Sequence, residues 1–299
     1  MEDISQNKLS KRKIKGFRTI VPPKSAFTIE TSEDFPKLHS LCIASGKRGG
    51  GKSVAIANFI KRCKDAGYYD RVWIVTPTYW SNKHIWDIAE IEEEDVFEPT
   101  MSVLKEVVSM VEAEREEWDS YLLQKEMYKD FKKEIKRKRI TDIDPEMLIE
   151  YQDLGFFDGP PQWKYKNEVP PRLGLILDDT LGTPLMAKPS AGLVNLCIKH
   201  RHIGKGLGIS IFMLVQSYCS QGGINRAIRE NTTLLLLFKV NQETQIKKII
   251  EESDLPVSNE KFFEMCKYCH DQQYNFLLMD FVPKDETKRF RSGWSEYLM

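Results

Sequence analysis

The chain has 299 residues, with 44 Lys or Arg, 44 Asp or Glu, 41% hydrophobic and 29% charged residues. That composition suits one large α/β domain or two small ones. The balanced charge gives no average signal of a nucleic-acid partner, and no apolar run approaches the ~18 residues of a membrane span.

Residues 1–25 are polar and basic, with Lys8, Lys11, Arg12, Lys13, Lys15, Arg18 and Lys24. They read either as an arm touching an anionic partner or as a solvated tail. Residues 1–36 are therefore set apart from a domain over 37–299. Met1–Ile4 lacks the apolar stretch of a secretory signal. Cys42 and Cys197 lie in apolar runs and Cys63 and Cys266 on helix-like segments, which suits a reducing, intracellular setting.

From Leu38 strands and helices alternate. A strand over 38–44 runs into Gly46-Lys47-Arg48-Gly49-Gly50-Gly51-Lys52-Ser53, then a helix to about Ala66. This is the phosphate-loop pattern G-x-x-x-x-G-K-[ST] in its required strand–loop–helix context. The glycines let backbone N–H groups wrap a polyphosphate, and the helix adds its positive end. Lys52 would reach the β- and γ-phosphates of ATP, and Ser53 would ligate Mg²⁺. The bland alternative is a Gly-rich turn with a chance Lys-Ser.

Arg71–Thr76 reads as the second strand, and 82–90 as a helix. Residues 101–150 read as long charged helices, acidic first (Glu112, Glu114, Glu116, Glu117, Asp119) and basic later (Lys132–Arg139). Residues 155–171 form a loop. The stretch 100–168 is read as a charged helical insertion between the second and third strands. The third strand, Leu173–Leu177, ends in Asp178-Asp179. In phase with the phosphate loop, Asp178 would hold Mg²⁺ and Asp179 would orient or deprotonate the attacking water; alone, the pair reads as a strand-terminal turn.

A helix over 191–200 precedes a strand over 208–216. Gln216, closing that strand, could hydrogen-bond the water or a phosphate oxygen, or be a polar strand end. Arg201, Arg226 and Arg229 could meet developing charge, though each alone is more often structural. A short helix near 225–230, a strand over 233–240, an amphipathic helix over 242–252 and a helix over 259–269 follow. Tyr274–Phe281 and Lys288–Trp294 read as a C-terminal β-hairpin. Near-continuous apolar strands separated by helices indicate a mainly parallel central sheet covered on both faces.

The order of four segments carries a family likeness. These are Gly46–Ser53, Leu175–Asp179, Lys199-His200-Arg201-His202 before the Gln216 strand, and Ile228-Arg229-Glu230-Asn231 before the next strand. Over about 38–282 the chain resembles the genome-packaging ATPases of large eukaryotic DNA viruses, the poxvirus-type branch of the HerA–FtsK class. The resemblance implies a RecA-like P-loop ATPase that forms a homo-oligomeric ring on double-stranded DNA. It implies a capsid or portal partner and action in host cytoplasm, in a viral factory or on the virion. It also implies an arginine donated to the neighbouring subunit, best matched by Arg201 or Arg229, with Arg229 slightly preferred. The family's second acid is usually Glu, where this chain has Asp179. Other readings are a helicase-like or signalling P-loop ATPase and a nucleotide-gated virion structural protein.

Non-specific DNA grip would come from cations meeting backbone phosphates. The candidates are the basic arm, Lys132–Arg139 and Lys199–Lys205; the second reads more readily as a solvated helix face balanced by the acidic half before it. Cys266-Lys267-Tyr268-Cys269-His270 spells a haem-attachment pattern, but reads better as cysteines on the buried side of a helix. Trp73, Trp80 and Trp86 read as core and loop packing.

Overall fold

The computed structural model describes residues 23, 25, 27–180, 182–185, 191–219, 224–240, 243–253 and 255–299. Most of the basic arm therefore lies outside the described residues. Its last part, 27–36, is fastened to the C-terminal strands. Lys284 donates to the carbonyls of Thr31 (2.8 Å) and Ser32 (2.6 Å), and Arg291 to the carbonyl of Asp34 (2.6 Å).

In chain order the elements are β1 (Leu41–Ser45), α1 (Lys52–Asp65), β2 (Arg71–Val75), α2 (Tyr79–Trp86), β3 (Val96–Phe97), α3 (Val103–Arg137), α4 (Pro145–Asp153) and β4 (Leu173–Asp178). Then come α5 (Ala191–Lys199), α6 (Ile203–Gly206), β5 (Ser210–Val215), α7 (Arg226–Glu230), β6 (Leu234–Phe238), α8 (Glu243–Ser253) and α9 (Asn259–His270). The chain closes with β7 (Phe276–Asp280), β8 (Phe290–Ser292) and β9 (Glu296–Leu298).

One nine-stranded sheet runs β3-β2-β4-β5-β1-β6-β7-β8-β9. The strands from β3 to β6 are parallel, and β7, β8 and β9 join antiparallel. The expected α/β fold is present, with the RecA-like order in which β5 separates the phosphate-loop strand β1 from the acid strand β4. The hairpin expected at the C-terminus is the first part of a three-stranded meander that extends the main sheet.

The strands bury both faces because their apolar residues are continuous, and alternation assigns each residue to a face. Leu41, Ile43, Leu175, Leu177, Ile211 and Met213 face a core closed by α3, α5, α8 and α9. Cys42, Ala44, Ile176, Phe212, Leu214 and Leu236 face one closed by α1 and α2, with Ile56, Phe59, Ile60 and Trp86 buried there.

Most of the charged stretch forms one 35-residue helix, α3, and the short α4 follows it. The first turns of α3 are not peripheral: Val103, Leu104, Val107 and Val111 belong to the main core. Farther along, Phe131 packs with Tyr151 and Phe156 in a small separate cluster. The α2 helix starts three residues before its expected start at 82, and the two-residue β3 and the final β9 have no counterpart among the expected strands. Both are shorter than the four residues that a period-2 pattern needs to show itself.

Val107→Ala should destabilise the protein by about 1–3 kcal/mol in denaturant unfolding. Leu123→Ala, at a position 63% exposed on the same helix, should change stability by less than about 0.5 kcal/mol.

Candidate active site

The phosphate-loop pattern sits where β1 ends. The Gly46 N–H donates to the carbonyl of Val215 (3.1 Å), tying the loop to the end of β5. A Cβ on Gly46 would lie 2.5 Å from Cβ of Phe238. Gly49 and Gly51 have φ of 73° and 92°, in the left-handed region that glycine enters without steric cost. Gly51 is the N-cap of α1 and offers no side chain, and the first turn carries no acid. The leading N–H groups of α1 are therefore left to an external anion, at the positive end of the helix. Lys52 Nζ donates to the carbonyls of Gly46 (2.8 Å) and Lys47 (2.9 Å). Burial lowers its ammonium pKa, and the charges of Asp178 and Asp179 oppose that shift.

The loop opens on a cavity of about 1140 Å³, lined on its floor by Arg48 and Gly49–Ser53. Asp178, Asp179 and Gln216 form one side. Gly46 and Lys47 contribute carbonyls that hold Lys52; their side-chain positions do not line the cavity.

Parallel pairing aligns Asp178 with Leu214 and Ser45 with Val215, so the three strand ends reach the cavity together. The Ser53 hydroxyl donates to Asp178 Oδ2 at 3.4 Å. Asp178 is only 6% exposed. Burial, then the neighbouring Asp179 charge, raise its carboxyl to about 6, against the opposing pull of Lys52 and the Ser53 bond. Asp179 is exposed and has φ of 51°. The turn after β4 thus sends one acid inward and the next outward.

Ser53 Oγ and Asp178 Oδ2 are hard oxygen donors on one spot, which fits Mg²⁺. No group of three or more His, Cys, Asp or Glu able to hold a metal lies among the described residues. An ion here would therefore depend on water and phosphate oxygens for its remaining ligands, as Mg²⁺ commonly does. Gln216 is exposed at the end of β5, between the loop and the acids.

Sequence reasoning missed two groups of lining residues. Thr78, Ser81 and Asn82 enter from the start of α2, where Asn82 Nδ2 donates to Thr78 Oγ1 (3.2 Å). Tyr274, Asn275 and Ser292–Glu296 enter from the C-terminal meander. No motif spacing connects either group to the phosphate loop; only the sheet order does.

The two arginines differ. Arg229 is paired on both sides with Glu252, Nε to Oε2 and Nη2 to Oε1 at 2.8 Å each. It also donates to the Ile224 carbonyl and lies over the Tyr218 ring. Arg201 is exposed and makes no ion pair with the described residues. It lies at the opposite end of the parallel strands from the loop, since Gly208, just before β5, abuts its backbone.

Among the expected DNA-contacting cations, Lys133 pairs with Asp130 (2.7 Å) and Lys138 with Glu134 (3.2 Å). Lys199 and Lys205 are exposed beside Arg201. Cys266 and Cys269 are buried free thiols, and His270 donates from Nε2 to the Leu237 carbonyl at 2.9 Å. Trp73 and Trp86 are fully buried, whereas Trp80 is 72% exposed. No described helix is long and apolar enough to cross a membrane.

No family model matches the chain, and no curated protein does. Several solved structures are similar to it. The genome packaging NTPase B204 from Sulfolobus turreted icosahedral virus 2, in complex with ATP-gammaS, is 12% identical over 87% of this chain and 98% of its own, with a TM-score of 0.42. EssC (ATPases 2 and 3) from Geobacillus thermodenitrificans is 13% identical over 93% of this chain and 48% of its own, with a TM-score of 0.46. The pCW3 conjugation coupling protein TcpA, with ATPgS, is 14% identical over 87% and 60%, with a TM-score of 0.43.

Arg229→Ala leaves Glu252 half-buried without its partner and should destabilise the fold by about 1–3 kcal/mol in denaturant unfolding. Arg201→Ala should change stability by less than about 0.5 kcal/mol. A second outcome follows from the buried acid. Its folded-state carboxyl titrates above its unfolded value, so its ionisation opposes folding at neutral pH and ceases to do so as pH falls below the unfolded value, near 4. Asp178→Asn should therefore stabilise the ligand-free protein by about 1–3 kcal/mol at pH 7.5, with the gain shrinking progressively toward pH 4. Denaturant midpoints measured across that range would check it.

Proposed function

We propose that this protein is an ATPase that couples hydrolysis to translocation of double-stranded DNA. More finely, it is a packaging motor of the poxvirus-type HerA–FtsK kind that drives a viral genome into a capsid. The observation that carries the ATPase reading is convergence on one cavity. The glycine loop, the uncapped start of α1, Lys52, the Ser53–Asp178 pair, Asp179 and Gln216 all open on it.

Each residue has a role that its position allows. The loop N–H groups and Lys52 bind the phosphate oxygens and offset their charge. Ser53 and Asp178 would hold Mg²⁺, which when bound neutralises charge on the β- and γ-phosphates. Asp179, carried outward, orients the attacking water and takes its proton. The Gln216 carboxamide hydrogen-bonds that water or a phosphate oxygen.

Arg201 is the better match for the arginine that acts between subunits. Its exposed side chain has no ion-pair partner among the described residues, whereas Arg229 would have to abandon Glu252. A strand of this length spans about 17–20 Å, so Arg201 is too far to serve its own loop and could serve only a neighbour's. On this reading the protein works as a ring-forming homo-oligomer. Lys199 and Lys205, with Lys132, Lys136, Arg137 and Arg139 at the far end of α3 and just beyond it, are exposed cations suited to backbone-phosphate contact that does not read sequence. A capsid or portal component is the remaining partner that the packaging reading requires.

The test is steady-state ATP hydrolysis with and without duplex DNA. Lys52→Ala should lose at least about 100-fold in turnover. DNA should stimulate the wild type several-fold at low salt, and the stimulation should fade as salt rises. Arg201→Ala should keep ATP binding and lose turnover, and mixing it with Asp179→Asn subunits should restore part of the rate. Hydrolysis unaffected by DNA at any salt would favour a P-loop ATPase of another kind. Full biological function in Lys52→Ala would favour a structural virion protein.

A further inference from the structure

The sheet order gives the cavity a direction. Asp178, Asp179 and Gln216 come from β4 and β5 on one side of β1, while the C-terminal meander lies on the other side, beyond β6. In the nucleotide reading above, on which this inference rests, the metal and the terminal phosphate sit toward the acids. The nucleoside must then leave the loop in the opposite direction, past Gly51 and toward the meander.

Tyr274 stands at that exit. Its side chain packs against the loop so closely that a Cβ added to Gly51 would be 3.1 Å from Tyr274 Cβ and 3.4 Å from its ring carbon Cδ1. The residue is 62% exposed and lines the cavity. Its backbone has φ of 64°, which bulky side chains rarely adopt and which tends to mark functional positions.

The other groups of that wall are already engaged. Trp294 is stacked on Phe59 with ring centroids 4.3 Å apart, and its Nε1 donates to the Ala55 carbonyl at 3.1 Å. Phe276 is buried against Phe238, and Glu296 accepts from the Tyr268 hydroxyl. Asn275 Nδ2 donates to Gln272 Oε1 and Ser292 Oγ. Tyr274 has no ring, cation or hydrogen-bond partner among the described residues.

We infer that Tyr274 is the aromatic platform on which the base of the bound nucleoside triphosphate stacks. Stacking on a π-face is tolerant of base identity, so this contact adds affinity for a nucleotide over a bare polyphosphate without choosing among bases.

The experiment compares calorimetric affinities for Mg-ATP and for Mg-tripolyphosphate, which carries the phosphates but no base. The wild type should bind ATP more tightly than tripolyphosphate. Tyr274→Ala should weaken ATP binding about tenfold and leave tripolyphosphate binding unchanged, which also reports that the variant is folded. Tyr274→Phe should keep ATP affinity within about twofold of wild type. Unchanged ATP affinity in Tyr274→Ala would overturn the inference. So would an equal loss for both ligands, which would make Tyr274 a buttress for Gly51. A wild type that binds neither ligand would instead overturn the nucleotide reading itself.

Discussion

The site depends on the register of three parallel strands. β5 pairs with β1 on one side and β4 on the other, matching Val215 to Ser45 and Leu214 to Asp178. Side chains alternate between faces, so a one-residue slip of β4 would send Asp178 to the opposite face. The register is held by what lies below the site. Ile211 and Met213 fill one core and Phe212 and Leu214 the other. With both faces of β5 buried, no alternative pairing preserves the packing. The hydrophobic core and the position of the acid are therefore one constraint.

The same arrangement leaves the charged groups short of what they require. Asp178 is buried next to another carboxylate, so its ionised form is disfavoured, and Lys52 is disfavoured as an ammonium by its own burial. The Lys52 charge relieves the acid only in part. A divalent ion beside the acid and phosphate oxygens beside the lysine would remove both penalties at once. Asp179 adds a backbone cost, since its φ of 51° is in the left-handed region. Asp enters that region more readily than longer side chains, because its short carboxylate can bond locally. This gives a physical reason for Asp at position 179. A turn that needs a left-handed residue favours the shorter acid, and the turn brings its carboxylate to the cavity.

The phosphate loop and the alternation of strands and helices were legible because they are local. Glycines at fixed offsets and apolar runs of five or six residues carry their own signal. The acid strand was legible for the same reason, as Leu173–Asp178 is a continuous buried run. What sequence could not supply was adjacency between distant segments. Tyr274 meets Gly51 only because β7 follows β6 in the sheet. Arg229 matched a motif, but the motif says nothing about Glu252 on α8 facing it. The short β3 is an edge pairing made by Val96 and Phe97 alone, set by tertiary position and not by any pattern.

The long helix shows how one charged segment can serve two ends. From Val103 to Tyr121 the buried positions are 103, 104, 107, 111, 114, 118 and 121, a stripe at helical spacing. One of them is an acid. Glu114 is tolerated there because Lys164 Nζ lies 2.9 Å away and the Tyr165 hydroxyl donates at 2.8 Å. Beyond Tyr121 the stripe stops, and only Phe131 is buried before the helix ends. There the helix is supported by its own side chains. Glu126, Asp130 and Glu134 each precede a lysine by three or four positions, pairing with Lys129, Lys133 and Lys138. Acid before base is the favourable order along a helix. Local helix stability therefore accounts for those three cations. Any grip on an anionic polymer by this end of α3 falls to the exposed cations that make no ion pair among the described residues, Lys132, Lys136 and Arg137.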